Sequence, residues 1–116
     1  DVAVDITTFY QEGGNPEFDQ GMKDYINANA DAKTNNGGND MVSAVTAMGY
    51  DAYFTALEAI KASGTGKAAD VLKVLPTVKY EGVSGMIEFD EIGDAKRDVA
   101  YIKIAGKLHC QEIVIN

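Results

Sequence analysis

The chain has little of what most often builds a reactive centre. Its 116 residues include one cysteine, Cys110, and one histidine, His109, so no disulfide closes within it and no second such ligand completes a zinc site. The two are sequence neighbours, and on a strand neighbouring side chains point to opposite faces, which keeps them from converging as a thiolate–imidazole pair. A single cysteine fits the cytoplasm and equally an exported bacterial protein that folds without disulfides. Basic residues are also scarce. Ten stand against eighteen acids, giving a net charge of −8 and a pI near 4.4. Such a surface repels phosphate backbones and argues against nucleic acid as a partner. The scattered lysines form no cluster for anionic lipid. The opening DVAVDITTFY lacks a basic start followed by an apolar run, so it reads as a strand rather than a signal peptide. Opening directly on a strand pattern, the sequence is expected to begin inside a natural domain.

What is present is enough for one modest domain of ordinary composition, 46% apolar and 24% charged. Its organising stretch is NDMVSAVTAMGYDAYFTALEAIKASG, Asn39 to Gly64. Met41, Val45, Met48, Ala52, Ala56 and Ile60 recur at three- and four-residue steps and share one face of a helix over about 40–62. Ser43, Tyr50, Asp51, Thr55, Glu58 and Lys61 fall mostly on the other side. Asp40 is the expected N-cap and Gly64 the left-handed terminator. Asp51, Glu58 and Lys61 would each cost several kcal/mol in lipid, so this is no membrane span. The rest of the chain is expected to pack on this helix or on the sheet that receives it. Gly49 within it costs about 1 kcal/mol against alanine, which points to tight helix–sheet packing or to a place at a ligand cleft.

In chain order, Val2, Val4 and Ile6 alternate with Ala3, Asp5 and Thr7, giving a strand over 2–9. Asn15 then caps a helix over about 16–27, with Pro16 at its first position and Glu17 and Asp19 in its first turn. Phe18, Met22, Tyr25 and Ile26 form its apolar stripe. From Asn27 to Asn39 the periodicity is lost, and the density of Asn and Gly predicts a mobile surface loop, with a ligand lid as the other reading. A third helix over about 67–75 stops at Pro76, and Thr77 to Tyr80 reads as a short extended piece. The period then changes to two. Strands are predicted over 85–89, 99–104 and 108–115, joined by short turns at Asp90–Asp94 and Ala105–Lys107 and therefore antiparallel neighbours.

Two apparent motifs fail on their chemistry. SGTGKAA would need a glycine where Lys61 stands, a magnesium-binding hydroxyl where Ala68 stands, and a strand before it. Asp90, Glu91 and Asp94 around Gly93 look faintly like a calcium loop, yet Ile92 occupies the third ligand position and Tyr101 the twelfth. Carboxylates are too plentiful to single out an acid–base pair. No enzyme, metal or cofactor is expected.

Taken in order, TTFY, NPEFDQGMKDYINA, AMGYDAYFTALEAIKASG and YEGVSGMIEFDEIGDAKRDVAYIKIAGK resemble the C-terminal part of periplasmic substrate-binding proteins of branched-chain amino acid ABC transporters. Gly49 to Ala52 and Glu81 to Arg97 carry most of the likeness. The loop from Asn27 to Asn39 departs from it, being longer and less basic than in the family. The resemblance implies an α/β fragment of a type I periplasmic-binding fold, two lobes that close on a small ligand. Residues 1–80 would belong to one lobe, and 81–116 would return toward the other. It implies cleft-facing, ligand-binding places for Val45 and Thr46 and a hinge at Phe9 and Tyr10, with the groups that clamp an amino acid lying elsewhere. The function implied is capture of an amino acid and its delivery to a membrane permease, in the periplasm or outside the cell, with lipid anchoring as one form of it. The alternative is a ligand-sensing domain of a receptor or regulator. A piece of such a fold leaves strand edges and helix faces uncovered, so a homodimer is expected of it.

Overall fold

A computed structural model describes residues 5–97, 99–104 and 111–114. The first predicted strand is β1, Asp5–Thr8; its expected residues 2–4 lie outside the described set, as do the turn at 105–107, His109 and Cys110. Helix α1 spans Pro16–Ala28, and the Asn15 side chain accepts from the Phe18 N–H at 3.1 Å, as the cap pattern requires.

The loop expected over Asn27 to Asn39 contains a short helix, α2, at Ala30–Asn35. Asn29 explains it. Its Oδ1 accepts from the N–H groups of Asp31 and Ala32 at 3.1 and 3.0 Å, so an asparagine that disfavours a helix interior starts one instead. Gly37 and Gly38, both at positive φ, end it.

Helix α3 runs Ala44–Ser63, starting four residues later than predicted. Ser43, not Asp40, is its cap, with Oγ accepting from the Thr46 N–H at 3.2 Å. Asp40 is drawn away to the Asn27 side-chain amide, which donates to it at 2.9 Å. The helix ends as expected at Gly64, in the left-handed conformation at φ 68°. Helix α4, Ala68–Val74, passes into a single 3-10 turn at Leu75–Thr77, where Pro76 sits.

Five more strands follow: β2 Tyr80–Gly82, β3 Gly85–Phe89, β4 Ala95–Lys96, β5 Val99–Ile104 and β6 Gln111–Val114. They do not form the expected continuous meander. β3 pairs with β2 and β4, whereas β5 pairs with β1 and β6, all antiparallel. The predicted neighbours 85–89 and 99–104 therefore lie in separate three-stranded sheets. The Asp90 turn causes this, because its carboxylate holds the N–H groups of Ile92 and Asp94 at 3.0 and 2.8 Å and returns the chain into the two-residue strand β4. The connection around Arg97 then carries it into the second sheet.

The core gathers where α1, α3 and the end of β1 meet. Tyr10, Phe18, Val42 and Ala47 are buried together, with Met22, Ala44 and Val83 against them. An aromatic line extends it: Tyr10 to Phe18 at 5.8 Å, Phe18 to Tyr50 at 5.0 Å, Tyr50 to Phe54 at 4.7 Å, then Phe54 to Tyr80 at 6.2 Å. α3 meets the core by an unexpected face. Ala47, Asp51, Thr55 and Ala59 are buried, while the apolar stripe from Met41 to Ile60 is exposed. Gly49 is also exposed, and a methyl group there would touch nothing within 4 Å, so the expected tight packing is not against any of the described residues.

Candidate functional site

The segment between β4 and β5 joins the two sheets directly, the segment after β1 lies beside it, and a run of polar contacts gathers there. Asp51 is 1% exposed. Its Oδ1 accepts from the Val83 N–H at 2.8 Å, and its Oδ2 accepts from the Ser84 N–H at 2.8 Å and the Ser84 hydroxyl at 2.5 Å. One carboxylate thus closes the tight β2–β3 turn onto α3. Gly82 makes this possible, since a β-carbon on it would stand 2.5 Å from both carboxylate oxygens.

Arg97 continues the chain of contacts. Its Nη1 donates to the Ser84 carbonyl at 3.0 Å and the Ser84 hydroxyl at 2.9 Å. Its guanidinium lies 5.3 Å from the centre of the Phe9 ring, within cation–π range. Burial pulls the guanidinium pKa below its ordinary value, and the Asp51 charge opposes that. Arg97 therefore ties the end of β1 to the β2–β3 turn, and through Ser84 and Asp51 to α3.

The segment after β1 is held equally firmly. The Tyr10 hydroxyl donates to Asp19 Oδ1 at 2.5 Å, and the Gly13 N–H donates to Oδ2 at 2.7 Å. Burial, then the Asp19 carboxylate, pushes the Tyr10 phenol pKa far above its ordinary value. Glu12 bridges two elements, accepting from Lys23 of α1 and, at 2.9 Å, from the Val42 N–H before α3. The Lys23 bond is the main reason its pKa is lowered.

Of the residues singled out in the sequence, Phe9 and Tyr10 both lie at this junction, on a cavity of about 360 Å³ also lined by Gly82, Ser84, Val99 and Tyr101. Val45 and Thr46 are not brought there. They occupy the first turn of α3, Val45 78% exposed and Thr46 hydrogen-bonded to Ser43. A groove of about 550 Å³ near that end is lined instead by Met41, Val42 and Ala44 facing Ile6, Tyr10 and Lys103. Asp51, Ser84, Arg97, Asp19 and Glu12 are the polar groups that sequence reasoning did not assign. A lone carboxylate in the middle of an apolar helix was the signal for Asp51. No group of three or more metal-ligating side chains occurs among the described residues. Nor is any helix there long and apolar enough to cross a membrane.

No protein-family model and no curated protein matches the sequence. A solved structure does match, that of a leucine-binding protein, LivK, from Thermotoga maritima, with a TM-score of 0.62 and 26% identity. The match covers 97% of this chain and 30% of that one, so the chain spans about a third of its length. Helices and small antiparallel sheets, over nearly the whole chain, thus have the fold of a portion of a periplasmic-binding protein, similar to that leucine-binding protein.

Proposed function

We propose that this chain is part of the solute-binding component of an ABC importer, which captures an amino acid of the branched-chain type and hands it to a membrane permease. The observation that carries the reading is the match to a leucine-binding protein along 97% of the chain. Capture proceeds by closure of two lobes on the solute, in the periplasm or outside the cell. Phe9 and Tyr10 serve as part of the hinge, and Val45 and Thr46 face the cleft on the exposed first turn of α3. Binding and release, not turnover, is the activity. β1 and β6 are outer strands of their sheet, and such edges give the isolated chain a route to a homodimer.

Titration calorimetry of the complete polypeptide against the twenty amino acids tests the reading. Leucine, isoleucine or valine is expected to bind with a Kd below about 1 mM, roughly −4 kcal/mol or stronger. Silence across the panel would overturn the branched-chain assignment.

A further inference from the structure

One side chain fastens the end of α2 to the segment that leads into α3. Asn36 directly follows α2, and its Nδ2 donates to the carbonyls of Asn39 and Met41 at 3.0 Å each. The Gly37 N–H turns back to the Thr34 carbonyl at 3.1 Å, and the Gly38 N–H to the Lys33 carbonyl at 2.9 Å. Beyond Met41 come Val42, buried and bonded to Glu12 through its N–H, and the Ser43 cap of α3. Asn36 also stands apart chemically. Of the asparagines in the chain it alone precedes a glycine, so no side chain shields the next main-chain nitrogen from closing a five-membered ring on the Asn36 Cγ. Asn15 precedes proline, which has no N–H to react. Asn27, Asn29, Asn35 and Asn39 precede alanine, asparagine or aspartate.

We infer that Asn36 is a site of self-modification that the fold keeps shut, and that its conversion unfastens α2 from α3. The Gly37 nitrogen gives up its proton to base and attacks the Asn36 Cγ. The bond from Cγ to Nδ2 breaks and ammonia leaves. One water then opens the resulting succinimide at either carbonyl, giving aspartate or isoaspartate, and it is the only co-reactant. Both reacting groups are engaged in the folded chain, the nitrogen with Thr34 and the side-chain amide with Asn39 and Met41. The ring therefore closes only when the turn opens. The carboxylate of either product has no N–H to donate, so both bonds to the segment before α3 are lost and two carbonyls are left without their donor. None of this depends on what the protein binds.

Peptide mapping by mass spectrometry tests this in the complete polypeptide, aged in mildly alkaline buffer beside a synthetic peptide of residues 30–43 as the open reference. Asn36 is expected to convert ahead of Asn35 and Asn39 in both, and at least about tenfold more slowly in the folded polypeptide than in the peptide. Asn29→Ala removes the cap of α2 without altering the turn, and it should move the folded rate toward that of the peptide. Asn36→Asp, which reproduces one product, should be cut faster than the parent by a protease acting between residues 36 and 43, with melting curves confirming that it folds. Aged parent protein, separated from its unconverted fraction, gives the same reading if the variant does not fold. Equal rates in peptide and polypeptide would overturn the inference, as would conversion led by another asparagine. Cutting no faster after conversion would overturn the fastening role.

Discussion

A carboxylate inside an apolar helix persists only if its lone pairs are met, and Asp51 has three donors aimed at it from one turn. Replacing it with asparagine keeps the volume but turns one acceptor into a donor facing N–H groups. Asp51→Asn is expected to lower stability by about 2–4 kcal/mol, read as the midpoint of urea unfolding. An unchanged midpoint would remove Asp51 from its structural role. Glu12 makes a pH-dependent contribution of the same sort. Its pKa lies below the ordinary 4.5, so its stabilisation is fully present above that value and is lost as pH falls through the lower, folded one. Glu12→Gln should therefore destabilise at pH 7 and flatten the loss of stability on acidification below about pH 4.5. Parallel acid-unfolding curves for the two proteins would contradict this. At this scale the sequence was partly legible. Asn15 and Gly64 act as their types predict, because caps depend on neighbours two or three residues away. Asp51 was placed on the polar side of its helix, because its partners lie 32 and 33 residues on and no local pattern records them.

Helix existence was legible for the same local reason, since α1 and α3 carry apolar stripes and α3 and α4 end at the stop signals Gly64 and Pro76. What competed was which residue caps. Ser43 displaced Asp40 once Asn27 engaged the latter, and Asn29 started α2 inside a stretch whose composition reads as a loop. Gly49 tests whether α3 has any hidden constraint on that side. A methyl group there meets nothing within 4 Å, so Gly49→Ala should stabilise the helix by about 0.5–1 kcal/mol. A rise of a few degrees in melting temperature is the expected outcome, and a fall would mean that something approaches the backbone at Gly49. Strand pairing was the least legible feature. Strands of five or six residues with alternating patterns fit several partners, and the Asp90 turn, by pairing β3 with β4, left β5 to the other sheet.

The molecule as a whole is extended for its length. Its radius of gyration is 16.5 Å, against roughly 13 Å for a compact domain of this size. With less surface to expose on unfolding, the isolated chain should give a urea m-value near the low end of the ~1–3 kcal/mol/M range. A value typical of a compact domain of 116 residues would contradict the open α3 face. The amino-acid order alone determined α1, α3 and α4, most of their termini, the Asp90 turn and the longer strand segments, because each depends on propensities and hydrogen bonds within a few residues. Tertiary structure alone decided which face of α3 turns inward, which strands pair, and that Phe9, Ser84, Asp51 and Arg97 meet at one junction. Hydrophobic period states that a face is apolar without saying what will cover it, and here the face turned inward carries Ala47, Asp51, Thr55 and Ala59, with the Asp51 carboxylate met by a turn 32 and 33 residues on.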